Sequence, residues 1–165
     1  MLMQKLAAQG FWKGKRVSLA TVKKKTEFQG IPLHIDRPAG FVMSGEDKQG
    51  KPWSRTYKVD YGFIPRTDGG DGDGVDVFLG PDADAHTAFW AAQKKDDGSF
   101  DEWKVFLGFA SKQAARKTYV DHIPADKLIR ITALSVEIMR SMLGMPAASS
   151  AKVAGFCVEL GSLLS

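Results

Sequence analysis

Thr67-Asp-Gly-Gly-Asp-Gly-Asp-Gly-Val-Asp76 runs directly into Val77-Phe-Leu-Gly-Pro81, joining an acidic, glycine-rich loop to a short apolar strand. From Thr67 to Ala85 there are six acids (Asp68, Asp71, Asp73, Asp76, Asp82 and Asp84) and no base. Carboxylates this close repel one another unless a cation neutralises them or the loop is well solvated. Glycines between them let the backbone fold so that several carboxylates converge. Val75-Asp-Val-Phe-Leu79 reads as a buried strand closed by Gly80-Pro81, and Asp76 inside it points opposite to Val75 and Val77. A carboxylate in that position needs a partner. Hard oxygen ligands of this kind suit Mg²⁺, Mn²⁺ or Ca²⁺ rather than zinc. A calcium hand is excluded, because counting from Asp71 puts Val75 at position 5, Asp76 where glycine is needed and Asp82 where glutamate is needed. A single Gly/Asp phrase is also too little for a calcium-binding β-helix. A solvated Asp/Gly turn is the bland alternative.

Upstream of the loop, Ile31-Pro-Leu-His-Ile35 alternates like a strand and ends at Asp36 before the Pro38 and Gly40 turn. Residues 45–52 (GEDKQGKP) nearly spell a nucleotide-binding P-loop, but Pro52 stands where Ser or Thr is obligatory. The segment reads instead as a hairpin tip, with Trp53 to Val59 as the returning strand. Asp60-Tyr-Gly-Phe-Ile64 then leads into the acidic loop. Downstream, Ala85 to Gln93 and Trp103 to Phe109 form a strand pair around the turn Lys95-Asp-Asp-Gly-Ser99. Helical period begins only at Ser111, which caps a helix to about His122, and Ser135 caps a second that Gly144-Met-Pro146 ends. Strands followed by helices predict an α+β domain.

At 165 residues the chain fits one domain. Its 44% hydrophobic and 25% charged residues are ordinary globular values, excluding a disordered, collagenous or coiled-coil chain. No run approaches the roughly 18 apolar residues of a membrane span, and no secretory h-region opens the chain. Cys157 is the single cysteine, which suits a reducing cytosol. The net charge of +4 is uneven: residues 1–25 hold seven of the 23 basic residues and none of the 19 acids. The expected division is a basic arm or leader over 1–29, a catalytic-type domain over 30–146 and a tail of unassigned role over 147–165. The arm reads as a solvated leader; nucleic acid is the disfavoured alternative, since no base-reading motif accompanies the charge.

Asp71-x-Asp73-x-x-Asp76 at the head of a strand, preceded by Tyr61-Gly62-Phe63-Ile64, resembles the soluble (family I) inorganic pyrophosphatases. Ile35-Asp36-Arg37-Pro38, Arg55 after the hairpin, and Asp97-x4-Glu102-x-Lys104 extend the likeness in the same order. DGDGVDVFLGPD (71–82) and FDEWKVFLGF (100–109) are similar to phrases of a divergent pyrophosphatase-like module found in phage and prophage proteins. The resemblance covers Gly30 to Leu143. It implies a five-stranded, barrel-like (OB-like) sheet with flanking helices, and Mg²⁺-dependent hydrolysis of pyrophosphate in the bacterial cytosol, with Mn²⁺ as the alternative ion. It implies Asp71, Asp76, Asp97 and Glu102 as metal ligands, with Asp101 open as the alternative to Glu102 because a one-residue register shift changes the face. Asp73 would accept the proton of the attacking water, Arg55 and Lys104 would stabilise phosphoryl oxygens, and Tyr61 would hydrogen-bond phosphate or the acid. Each has a bland rival: Arg55 on a strand surface, Lys104 paired with Glu102, Asp97 in its turn. Phe41-Val-Met-Ser44 carries no base where the family has one. A non-catalytic module of a phage assembly, partnered by a structural protein or by further copies of the chain, is therefore the competing reading.

Overall fold

The computed structural model describes residues 22–69 and 73–145. Nine strands and two helices follow one another: β1 (Lys24–Phe28), β2 (Ile31–Arg37), β3 (Val42–Glu46), β4 (Pro52–Thr56), β5 (Asp60–Ile64), β6 (Val75–Leu79), β7 (Thr87–Lys94), β8 (Phe100–Leu107), α1 (Lys112–His122), β9 (Leu128–Ser135) and α2 (Val136–Met142). Seven strands form one sheet in the order β1-β2-β5-β6-β8-β7-β9, while β3 and β4 pair only with each other. Within the large sheet β6 and β8 are parallel and every other pairing is antiparallel. The α+β class is as expected. The five-stranded barrel is not: there are seven strands, and the end strands β1 and β9 do not pair, so the sheet does not close. No helix among the described residues is long and apolar enough to cross a membrane.

Alternation along the central strands builds two cores. Val75 and Val77 of β6, Val105 and Leu107 of β8, and Ala88 and Trp90 of β7 join Ile31, Leu33 and Ile35 of β2, with Met139 of α2 packed among them. Their neighbours Phe78, Phe106, Phe89 and Ala91 enter the other core, with Tyr57, Tyr61 and Tyr119 of α1. Central strands buried on both sides read as near-continuous apolar runs, which is why VDVFL and WKVFL carry so few polar residues. The capping serines act as expected: Ser111 accepts from the Ala114 N–H at the start of α1 and Ser135 from Ile138 at the start of α2.

Two strands lie outside the sequence reading. β1 falls within residues 24–28, which charge alone had assigned to the basic arm. It is a Lys-rich edge strand, a common way to protect an exposed sheet edge, and its Phe28 is buried. The sheet therefore begins before residue 30, within the segment expected to form the arm. β9 is the opposite edge, and its apolar residues do not keep to one face. GEDKQGKP is indeed the β3–β4 turn, where Asp47 Oδ1 accepts from the Gln49 and Lys51 amides. The rest of the basic arm (1–21) and the tail from 146 fall outside the described residues.

Candidate active site

Tyr61 on β5, Asp76 on β6 and Lys104 on β8 come from three adjacent central strands, with Asp76 and Lys104 directly paired in register. Their shared face follows from alternation: Val75 and Val77 point into one core, so Asp76 must point to the other side, beside Phe78. The Lys104 ammonium lies 2.6 Å from Asp76 Oδ2, 2.9 Å from Glu102 Oε1 and 3.0 Å from the Tyr61 hydroxyl. The Tyr61 hydroxyl in turn donates to Asp76 Oδ2. Only 5% of the Lys104 side chain is exposed, so this ammonium is a fixed charge rather than a solvated one.

Burial shapes the electrostatics. It pushes Glu102 up to about 7; the Asp76 charge adds to the push, and Lys104 works against it. Burial would pull Lys104 down, but the groups around it, the Asp76 and Glu102 carboxylates included, hold it well above its ordinary value. Tyr61 is raised by burial and by Asp76, so it is a neutral hydrogen-bond donor at any working pH. The Asp36 carboxyl is raised by burial against the opposing pull of Arg37, and its Oδ1 is buried with no hydrogen-bond partner.

Two pockets meet at this cluster. A smaller one, of about 290 Å³, is lined by Asp36, Asp73, Asp76 and Glu102 together with Arg37, Tyr61 and Lys104. A larger one, of about 490 Å³, is lined by six cations (Arg37, Arg55, Lys94, Lys95, Lys104 and Lys127) against Asp96 and Asp101. Arg37, Tyr61 and Lys104 belong to both. The carboxylate pocket suits cations and the neighbouring one suits an anion with several negative oxygens.

The backbone around the site is tightly specified. Gly62 follows Tyr61 where β5 presses against β2: a Cβ there would lie 2.0 Å from the His34 carbonyl oxygen. Immediately beyond, the β2–β5 register shifts between Ile35 and Arg37, so that Ile35 pairs with Gly62 and Arg37 with Tyr61. The extra residue in this bulge is Asp36. A bulge re-aims side chains, and here it brings both Asp36 and Arg37 to the pocket. At the neck of the acidic loop the buried Thr67 hydroxyl donates to the Ile64 carbonyl at 2.6 Å and accepts from the Val75 amide at 2.8 Å.

Of the residues singled out from sequence, Tyr61, Asp76, Glu102 and Lys104 are brought together, and Asp73 lines the same pocket. Arg55 lines the cationic pocket from β4, its guanidinium carbon 5.7 Å from the Trp53 ring centre. Asp71 lies outside the described residues. Asp97 lines neither pocket: it sits exposed in the β7–β8 turn, where its Oδ1 accepts from the Ser99 amide at 2.9 Å and hydroxyl at 2.6 Å. Turn chemistry accounts for it. Glu102, not Asp101, shares the acidic pocket with Asp76; Asp101 lines the cationic one, and Gln93 Nε2 donates to both. Asp36 and Arg37 were visible only as part of a strand phrase, because the bulge that aims them leaves no mark in the residue pattern.

A divalent ion fits the donor set without being pre-caged. The donors are hard carboxylate oxygens, and one of them, Asp36 Oδ1, is buried and unsatisfied. Among the described residues no three acidic, imidazole or thiol groups already converge on one point.

A family model described as Inorganic Pyrophosphatase matches residues 9–144. No match was found among curated proteins or solved structures.

Proposed function

The chain belongs to the inorganic pyrophosphatase family, and from that membership we propose that it hydrolyses a phosphoanhydride, with inorganic pyrophosphate as the substrate and two orthophosphates as the products. The observation that carries the proposal is the junction of a carboxylate pocket with a cationic one across Tyr61 and Lys104. Asp76, Asp36 and Glu102 would hold Mg²⁺ or Mn²⁺, and Asp71 joins them on the strength of its place in the aspartate triplet. Bound divalent ions would neutralise phosphate oxygens and acidify the attacking water.

The chain's own residues then have separable tasks. Arg55 and Lys104 take up charge on the phosphoryl oxygens as the P–O–P bridge breaks. Lys104 is suited to this because its position is already fixed by Asp76, Glu102 and Tyr61. Asp73 is exposed at the rim of the acidic pocket and is the acceptor for the proton released by water. Tyr61 holds Asp76 in orientation through its hydroxyl. The proposal extends to a bacterial cytosolic setting and to the phage and prophage modules, on the lone Cys157 and the shared phrases at 71–82 and 100–109. A non-catalytic role is favoured by one feature: β3 turns Met43, not a base, toward the cationic pocket.

Phosphorus NMR of pyrophosphate incubated with the full chain and Mg²⁺ tests the reading. The pyrophosphate resonance should give way to orthophosphate, stop on chelation and resume with excess Mg²⁺. An unchanged pyrophosphate signal in the presence of Mg²⁺ and of Mn²⁺ would leave the non-catalytic role in its place.

A further inference from the structure

Arg37 is the one residue shared by both pockets that is not committed to Asp76. Tyr61 and Lys104 each bond to that carboxylate. Arg37 Nη1 instead donates to the Tyr57 hydroxyl at 3.3 Å, and its nearest acid, Asp36 Oδ2, is 3.9 Å away. Among the described residues no other hydrogen bond engages its five donors. Its guanidinium carbon lies 5.1 Å from the Tyr61 ring centre and 5.5 Å from that of Tyr57, within reach of cation–π attraction to both. The side chain is 30% exposed, so the group is anchored yet open to the pockets.

The backbone has been adjusted to put it there. In an unbroken β2–β5 ladder Arg37 would fall opposite Asp60 and point away from the site. The bulge at Asp36 pairs it with Tyr61 instead.

We propose that Arg37 is a substrate-binding residue, whose guanidinium grips the phosphoryl oxygens of a diphosphate at the boundary between the carboxylate and cationic pockets. The proposal rests on the phosphoanhydride reading of the site. The planar fork matches two oxygens of one phosphoryl group, which an ammonium on the same stem cannot do. The Tyr57 and Tyr61 rings flank the guanidinium, and Asp36 Oδ2 at 3.9 Å is beyond hydrogen-bond distance, so the fork is not occupied by that carboxylate. The rival is simple packing, an arginine stacked on two tyrosines; the two differ in what removing the fork does to ligand binding.

The test uses the full chain and methylenediphosphonate, whose P–C–P bridge resists hydrolysis, titrated by calorimetry in Mg²⁺ buffer. Arg37→Gln should weaken binding by about tenfold to a hundredfold, the loss of one charged, two-point contact. Arg37→Lys should recover only part of it. The rise in melting temperature caused by Mg²⁺ alone should persist in all three proteins and be no smaller in Arg37→Gln, since Arg37 holds no metal and its charge only opposes one. KM for pyrophosphate should rise with little change in kcat. Binding by Arg37→Gln within about twofold of the parent would reduce Arg37 to packing. Should that variant fail to fold, Arg37→Lys decides: affinity equal to the parent's overturns the two-point grip. A parent that binds the analogue but leaves pyrophosphate intact removes the hydrolase reading alone, and the binding comparison still judges Arg37. A parent that binds no analogue overturns both.

Discussion

Replacing Lys104 with methionine keeps an unbranched apolar stem only one atom shorter and deletes one buried charge. Two carboxylates, Asp76 and Glu102, then face each other across the space the ammonium occupied, where they were 2.6 and 2.9 Å from it. Removing one partner of a buried ionic cluster costs about 3–5 kcal/mol. For a chain of this size that lowers the melting temperature by about 6–20 °C. The loss must depend on pH, with a definite sign. Glu102 is already pushed up to about 7 with Lys104 beside it, and without that cation it rises further. Above about pH 7 the parent's Glu102 gives up its proton while the variant's keeps it, so the destabilisation should be larger near pH 8 than near pH 5.5, by about 1 kcal/mol. Thermal and urea unfolding of parent and variant in chelator-containing buffer, followed by circular dichroism, measure it. Added Mg²⁺ should restore more stability to the variant than to the parent, because it enters a site with excess negative charge. A loss under about 1 kcal/mol at pH 8, or one that does not change with pH, would refute the view of Lys104 as the counter-charge of this cluster.

Glu102 should govern a pH slope of its own. A carboxyl raised from 4.5 to about 7 on folding holds a proton that the unfolded chain releases, so metal-free stability should fall by about 3 kcal/mol between those pH values. Glu102→Gln should flatten that slope in urea titrations at pH 5 and 7.5. Asp97→Ala should leave pyrophosphate turnover within about twofold of the parent in a phosphate-release assay, since its carboxylate serves the β7–β8 turn; a loss comparable to that of a site aspartate would return Asp97 to the metal cluster. Gly62→Ala forces a Cβ to 2.0 Å from a β2 carbonyl and should destabilise by about 3 kcal/mol or more in the same unfolding assay.

The parts of the site that were legible in sequence are those fixed by alternation and turn chemistry. Asp76 between Val75 and Val77 had to point away from the core they enter, and it does. The capping serines and Asp/Gly turns mark their element ends through local hydrogen bonds, which depend on few neighbours. What stayed hidden depends on partners distant in the chain. Lys24–Phe28 is a strand because β2 pairs with it, and its charges, read alone, suggest a solvated arm. β9 joins the sheet through β7, and its apolar residues, split between faces, give no period of two. The parallel join of β6 to β8, which brings Asp76 beside Lys104, is a tertiary fact with no local signature. The same holds for the bulge at Asp36. At Asp97 two signals overlap: spacing suggests a ligand, while Ser99 two residues on gives the carboxylate a local task.

The most direct test compares initial rates of orthophosphate release from pyrophosphate by the parent and by Asp76→Asn, purified side by side and assayed in Mg²⁺. The amide keeps the shape of the side chain but removes the charge that holds Lys104 and the proposed ions. Turnover by the parent, lost in an Asp76→Asn chain that still unfolds cooperatively, is the result the account requires. Equal rates in the two proteins would place the activity elsewhere and contradict it.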